Sequence, residues 1–326
     1  MEQSVKLVDE DLLWCESGNF ALQDQTDFSV IGAIGLQGSG KSTVLSHLAG
    51  VVPQEANRSV VFHPQSRTVR EVCSHQTAGI DLHLTEERTI FLDSQPVLSA
   101  SILDQMIQHD VKYHGEYSTV ENCMEMQSLQ LGSFLFTVCN IVIVVMEGFS
   151  DLNVFRFLQT AEMLKPQTPQ PHDSPSEGLS EIYPHIVFVV NHAGADDFKA
   201  GSYEKMQTVI SRLMSQSNLK FKGVCNMRDL IPGLSSSSPH SDVNLYLLPE
   251  KASVSDQLDD PLSMHYRGYP TFEFIIESLT KKLLAMPRHL LTHTTLTEKN
   301  WFHYAARSWE SVKKSGLISE YNRLLP

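Results

Sequence analysis

Short, densely apolar runs alternate along this chain with longer stretches in which apolar residues recur every three to four positions. The first rhythm predicts strands at residues 28–34, 139–145, 185–190 and 243–248. The run Cys139-Asn140-Ile141-Val142-Ile143-Val144-Val145 is continuous enough to predict burial on both faces of a parallel sheet. Ile80, Leu82 and Leu84 alternate with Asp81 and His83, a charged turn follows at Glu86-Glu87, and Thr89-Ile90-Phe91-Leu92 returns, which is a hairpin pattern. The second rhythm predicts a helix through residues 44–48 that fades by Gly50 and Pro53, then helices at 97–109, 120–136, 152–164, 203–214, 272–286 and 296–314.

Four stretches follow neither rhythm. Residues 50–76 carry one short apolar run, Val60-Val61-Phe62, and predict a long loop of the kind that closes over a ligand. Residues 165–184 collapse into Pro, Gln, Ser, His and Gly, an exposed insertion within a domain; Ser235 to Pro239 is a second soft patch, and residues 250–260 form an acidic loop. Residues 1–26 are polar and acidic around Leu12-Leu13-Trp14. They read as a surface segment pinned by Trp14, with a partner-docking arm as the alternative.

Strands alternating with helices predict a doubly wound α/β fold, a mostly parallel sheet of P-loop NTPase, G-domain-like type with one antiparallel hairpin strand. The expected organisation is an N-terminal segment at 1–26, a nucleotide-binding domain at 27–286 with insertions near 165–184 and 231–242, and a C-terminal helical extension at 287–326. Composition agrees with a folded, soluble protein: 41% of the 326 residues are hydrophobic, 19% are charged, and no transmembrane run is present. The first residues lack the basic start and apolar stretch of a signal peptide, so a cytoplasmic location is expected. Five cysteines without metal-ligand spacing predict reduced, mostly buried thiols. A formal charge of -13 disfavours extensive direct contact with nucleic acid, whose phosphates demand Lys and Arg.

The chemistry concentrates where the first strand ends. Gly35-Leu36-Gln37-Gly38-Ser39-Gly40-Lys41-Ser42-Thr43 fits the phosphate-cradling pattern of two glycines five apart followed by Lys and a hydroxyl, set between a strand and a helix. Glycines leave successive N–H groups, from about Gly38 to Thr43, free to converge on phosphates at a helix N-terminus. Lys41 is expected to reach the β- and γ-phosphates and Ser42 to hold Mg2+. Asp93, ending an apolar strand one position over, is the expected second metal residue. Thr77, between loop and Asp, is a candidate γ-phosphate sensor or simply a strand cap. Gly35, Asp93 and Asn191 all lie at carboxyl ends of predicted strands, where doubly wound sheets bind ligands.

Departures from a guanine-nucleotide switch are equally legible. Such a switch has a Gly three residues after the strand-ending Asp, whose N–H binds the γ-phosphate; here the run is Asp93-Ser94-Gln95-Pro96, and proline has no N–H. A guanine reader presents Asn-Lys-x-Asp, whereas this chain offers Asn191-His192-Ala193-Gly194, with Asp196 or Asp197 as substitutes only if they reach. GTP/GDP and ATP/ADP stay open, and efficient self-contained hydrolysis is not expected. His289 and His293, one helical turn apart, lack a third ligand for zinc.

The run from Gln127 to Cys139, the stretch Phe157-Leu158-Gln159-Thr160-Ala161-Glu162-Met163 and the tail Leu296-Thr297-Glu298-Lys299-Asn300-Trp301-Phe302-His303-Tyr304-Ala305-Ala306-Arg307 resemble the family of the ninth SMG factor, SMG-nine, of nonsense-mediated mRNA decay. The resemblance runs from about residue 28 to the C-terminus. It implies a GTPase-like domain that pairs with SMG-eight and restrains the SMG-one kinase, which phosphorylates the helicase UPF-one. It carries over Gly35 to Thr43 directly, and Asn191 less strongly because His192 follows it. The function expected is a nucleotide-binding regulatory subunit of that kinase complex. The alternatives are an active P-loop GTPase or ATPase switch and, last, a small-metabolite kinase, for which no basic lid is visible. Trp301, Phe302, Tyr304 and Trp309 belong either to the core or to a docking surface.

Overall fold

The computed structural model describes residues 1, 3–50, 60–108, 117–149, 151–166, 182–231, 242–250, 269–292 and 294–325. Much of the expected 165–184 insertion, the 235–239 patch, most of the acidic loop and His293 lie outside the described residues.

Seven strands form one sheet: β1 (Val5–Val8), β2 (Ser29–Ile34), β3 (Ile80–Leu84), β4 (Thr89–Ser94), β5 (Ile141–Glu147), β6 (His185–Ala193) and β7 (Leu245–Pro249). Their order is β1-β3-β4-β2-β5-β6-β7. β3 is antiparallel to both neighbours, β1 and β4, and every other pairing is parallel, so among the described strands β3 alone runs against the rest. β2 and β4 are buried along their whole length, as is β5 except Glu147, which explains why they read as unbroken apolar runs.

The described α-helices are α1 (Lys41–Leu48), α2 (Arg67–Glu71), α3 (Ala100–Gln108), α4 (Val120–Val138), α5 (Leu152–Met163), α6 (Ala200–Leu213), α7 (Phe272–Leu284), α8 (Glu298–Lys313) and α9 (Gly316–Leu324). Thr119, Thr271 and Thr297 cap α4, α7 and α8 by accepting from the amides of Asn122, Phe274 and Asn300. The crossover from β2 to β4 moves one way along the sheet and that from β4 to β5 moves the other. Right-handed connections therefore put α1 and α4 on opposite faces. α4 is the central helix of its face, against which α3, α5, α8 and α9 pack. Two glycines permit these close approaches. A Cβ on Gly32 would lie 2.9 Å from Cys139 Sγ, and one on Gly132 3.0 Å from Phe157 and Ala161.

Among the described strands and α-helices, three escaped the periodicity: β1, α2 and α9. The N-terminal segment is not a surface appendage, because Leu7 and Val8 are fully buried and Lys6 pairs with Asp81 at 2.8 Å. Four residues with a lysine among them carry too little alternation to announce a strand. Trp14 packs edge-on to Phe134 and Phe302, with centroids 6.3 and 5.1 Å away. The aromatic tail resolves as core: Trp301, Phe302 and Trp309 have no exposed surface, and the two indole N–H groups donate to Val138 O (2.9 Å) and Leu12 O (3.0 Å). Glu298, also fully buried, accepts from the Gln23 amide at 2.8 Å and pairs with Arg88 of the β3–β4 turn. All five cysteines are free thiols, with Cys123, Cys139 and Cys225 buried.

Candidate functional site

At the end of β2 the chain passes so close to β5 that a Cβ on Gly35 would sit 2.2 Å from the Val145 carbonyl oxygen. Gly38 and Gly40 follow with φ of +78° and +94°, conformations that L side chains rarely adopt. The loop delivers the chain into α1 with Gly40 as its cap, so the cap has no side chain to accept from the first-turn amides. Those amides are the donors an anion uses at a helix N-terminus. Lys41 curls back beneath the loop, its ammonium donating to the carbonyls of Gly35 and Leu36 at 3.1 Å each.

Three residues from separate elements meet beside it. Ser42 Oγ donates to Asp93 Oδ2 at 2.7 Å, Thr77 Oγ1 donates to the same oxygen at 3.1 Å, and the two hydroxyls are 3.2 Å apart. The other carboxylate oxygen, Asp93 Oδ1, is buried without a hydrogen-bond partner, as is Ser39 Oγ. Burial pushes the Asp93 carboxyl up to about 6, against its bonds to Ser42 and Thr77, and pulls Lys41 down to about 8, opposed by Asp93. Two hard oxygen groups and an unpartnered carboxylate oxygen are the donor set that suits Mg2+, so the residues fit that ion.

The cavity in front of the loop is lined by Gln37, Gly38, Gly40, Lys41, Ser42 and Thr43 on one side. The 64–77 segment supplies Arg70, His75 and Thr77, while Asn191 and His192 close the β6 side. Among the described residues no carboxylate lines it, although the whole chain carries a formal charge of -13. The local field therefore suits a polyanion.

Several expected contacts take a different form. Asn191 lines the cavity, but its amide donates to Ser39 O at 3.1 Å, so it braces the loop. His192 has φ +54° and its Nδ1 lies 3.7 Å from Glu147. Neither proposed substitute for the guanine-reading carboxylate is free: Asp197 Oδ2 accepts from the Gly194 amide at 2.8 Å, and Asp196 pairs with Lys199 at 2.5 Å. Gln95, just ahead of the proline, has its side-chain oxygen held by the buried Gly79 amide at 2.7 Å. Gln37 works as a latch. Its amide donates to Cys73 O and Ser74 O at 3.0 and 3.1 Å, and its oxygen accepts from Ser99 Oγ at 2.6 Å. Arg70 and His75 were missed, since α2 has five residues within an aperiodic stretch and offers no spacing signal. Among the described residues no cluster of His, Cys, Asp and Glu could hold a metal by itself, and no helix is long and apolar enough to cross a membrane.

No family model matches the chain. It is 48% identical over 341 residues to the nonsense-mediated mRNA decay factor SMG9 of Salmo salar, covering 99% of this chain and 68% of that protein. The SMG9 of Xenopus laevis is 48% identical over 343 residues, covering 100% and 67%. A septin GTPase domain from Chlamydomonas reinhardtii aligns over 88% of this chain and 98% of its own at 11% identity, with a TM-score of 0.39, a likeness too slight to add to the topology.

Proposed function

Because the chain belongs to the SMG9 family of nonsense-mediated mRNA decay factors, we propose that it serves that pathway as a nucleotide-binding regulatory subunit rather than as a turnover enzyme. In this reading it pairs with SMG-eight and modulates the SMG-one kinase toward UPF-one in the cytoplasm. The observation that carries the nucleotide part is the meeting of Ser42, Thr77 and Asp93 at one edge of a glycine-lined cavity. Gly38 to Thr43 would cradle the phosphates, Lys41 would turn from its carbonyl partners toward them, and Ser42 with Asp93 would hold Mg2+. A magnesium ion bound there supplies charge neutralisation between protein oxygens and phosphates. His192 and Pro249, at the ends of β6 and β7, would flank the base.

Retention without cleavage is supported by Pro96, which has no N–H, and by Gln95, held on Gly79. A nucleotide bound to the native fold alone stabilises it by mass action, which is enough to hold an interface-competent shape. Mass spectrometry of nucleotide released on denaturing the purified protein tests the reading. A guanine or adenine nucleotide is expected, lost on Lys41→Ala; no nucleotide, together with no binding of added Mg-GTP or Mg-ATP, would overturn it. The switch alternative predicts phosphate release that depends on Lys41, and rates typical of stimulated GTPases would favour it. For the regulatory part, adding the chain to SMG-one should change phosphorylation of UPF-one, and an unchanged rate would sink that role.

A further inference from the structure

Among the described residues that line the cavity, two side chains are cationic, Lys41 and Arg70, and only the first belongs to the glycine-rich motif. Arg70 lies on α2, is exposed, and makes no ion pair among the described residues. Its neighbour Arg67 takes the nearby carboxylate, Glu71, at 2.8 Å. An arginine at the lip of this cavity has five N–H donors and no ion-pair partner among the described residues.

Its place in the fold identifies which part of a ligand it would meet. The 64–77 segment ends at Thr77, whose hydroxyl is 3.1 Å from Asp93 at the metal edge of the cavity. Asn191, His192 and Pro249 come from β6 and β7, on the other side of β2 and β5 in the sheet. A nucleotide lying across the loop would therefore turn its terminal phosphate toward Arg70 and its base away from it. The segment is also tied to the loop. Gln37 holds the carbonyls of Cys73 and Ser74, and Gln65 donates to the same Ser74 carbonyl at 2.6 Å. The backbone beneath Arg70 is thus positioned relative to the phosphate cradle.

That end of the cavity also lacks one backbone donor. Pro96 lines it and has no N–H, and the Gln95 side-chain oxygen is held on the Gly79 amide. We infer that Arg70 takes over recognition of the terminal phosphate, so that the cavity separates nucleoside triphosphate from diphosphate through a side chain instead of a backbone amide. The inference rests on the nucleotide reading above.

Titration calorimetry on the full chain with Mg-ATP, Mg-ADP, Mg-GTP and Mg-GDP tests it, comparing wild type with Arg70→Ala and Arg70→Lys. Arg70→Ala should weaken the triphosphate by about 10- to 100-fold, the range of a lost charge-assisted hydrogen bond, and leave the diphosphate within about two-fold. Arg70→Lys should recover part of the loss. An exposed, unpaired side chain leaves the fold intact, which the thermal midpoint of each variant verifies. Wild-type binding with an unchanged triphosphate-to-diphosphate ratio in Arg70→Ala overturns this inference alone, as does an equal loss for both, which would put Arg70 on the inner phosphates or the base. Wild-type protein that binds none of the four overturns the nucleotide reading and this inference with it.

Discussion

Asn191 at the end of β6 donates its side-chain amide to the carbonyl of Ser39 in the glycine-rich loop at 3.1 Å, across 152 positions of sequence. The loop is therefore shaped from outside as well as by its glycines. The same amide explains why residue 40 has no side chain: a Cβ there would come within 2.3 Å of Asn191 Nδ2.

Gly40→Ala should accordingly destabilise the protein by roughly 1–3 kcal/mol, from the positive φ and the collision together. Adding Asn191→Ala removes the collision and leaves the φ strain, so the double variant should regain part of the loss. Urea denaturation of the two single variants and the double variant measures this, and strictly additive losses would refute the contact.

Glu298 is fully buried and its charge is met by Arg88. Arg88→Met leaves that carboxylate without its cation and should cost about 3–5 kcal/mol. Arg88→Met combined with Glu298→Leu should recover much of it, because two apolar groups need no solvation. The expected readout is a lower denaturation midpoint for the single variant than for the pair.

Trp309 fills the space between α8, α4 and the N-terminal segment, with its ring against Phe134 at 5.2 Å and its N–H on Leu12 O. Trp309→Ala should cost about 3–5 kcal/mol. Trp309→Phe should cost less and should specifically loosen residues 5–14, visible as faster amide exchange there.

Acid should weaken the fold through two histidines. Burial, the largest cause in each case, pushes both His83 and His185 down to about 4 from an ordinary value of 6.5. A depressed folded-state value means that the unfolded chain takes the proton first, so stability is full above about pH 6.5 and falls as pH drops toward 4. His83→Gln should flatten that slope, its unfolding free energy changing less between pH 7 and pH 4.5 than that of the wild type. An unchanged slope would show that His83 contributes nothing to it.

The strand, the glycine-rich loop and the helix after it were legible in the sequence because their signals are local. β2 is an unbroken apolar run, the glycines mark backbone that must turn without Cβ atoms, and Lys41-Ser42 follows at fixed spacing. Asp93 was legible for a similar reason, since a carboxylate ending an apolar strand next to such a loop has one place to go in a doubly wound sheet. The tertiary structure alone decided what depends on pairing across distance. It put β1 beside β3, sent Trp301 and Trp309 into the core, spent the Asn191 amide on Ser39, and carried Arg70 to the cavity on a five-residue helix. Each of these rests on a register or a packing contact between segments far apart in the chain, and short-range periodicity holds no record of which distant surface a residue will meet.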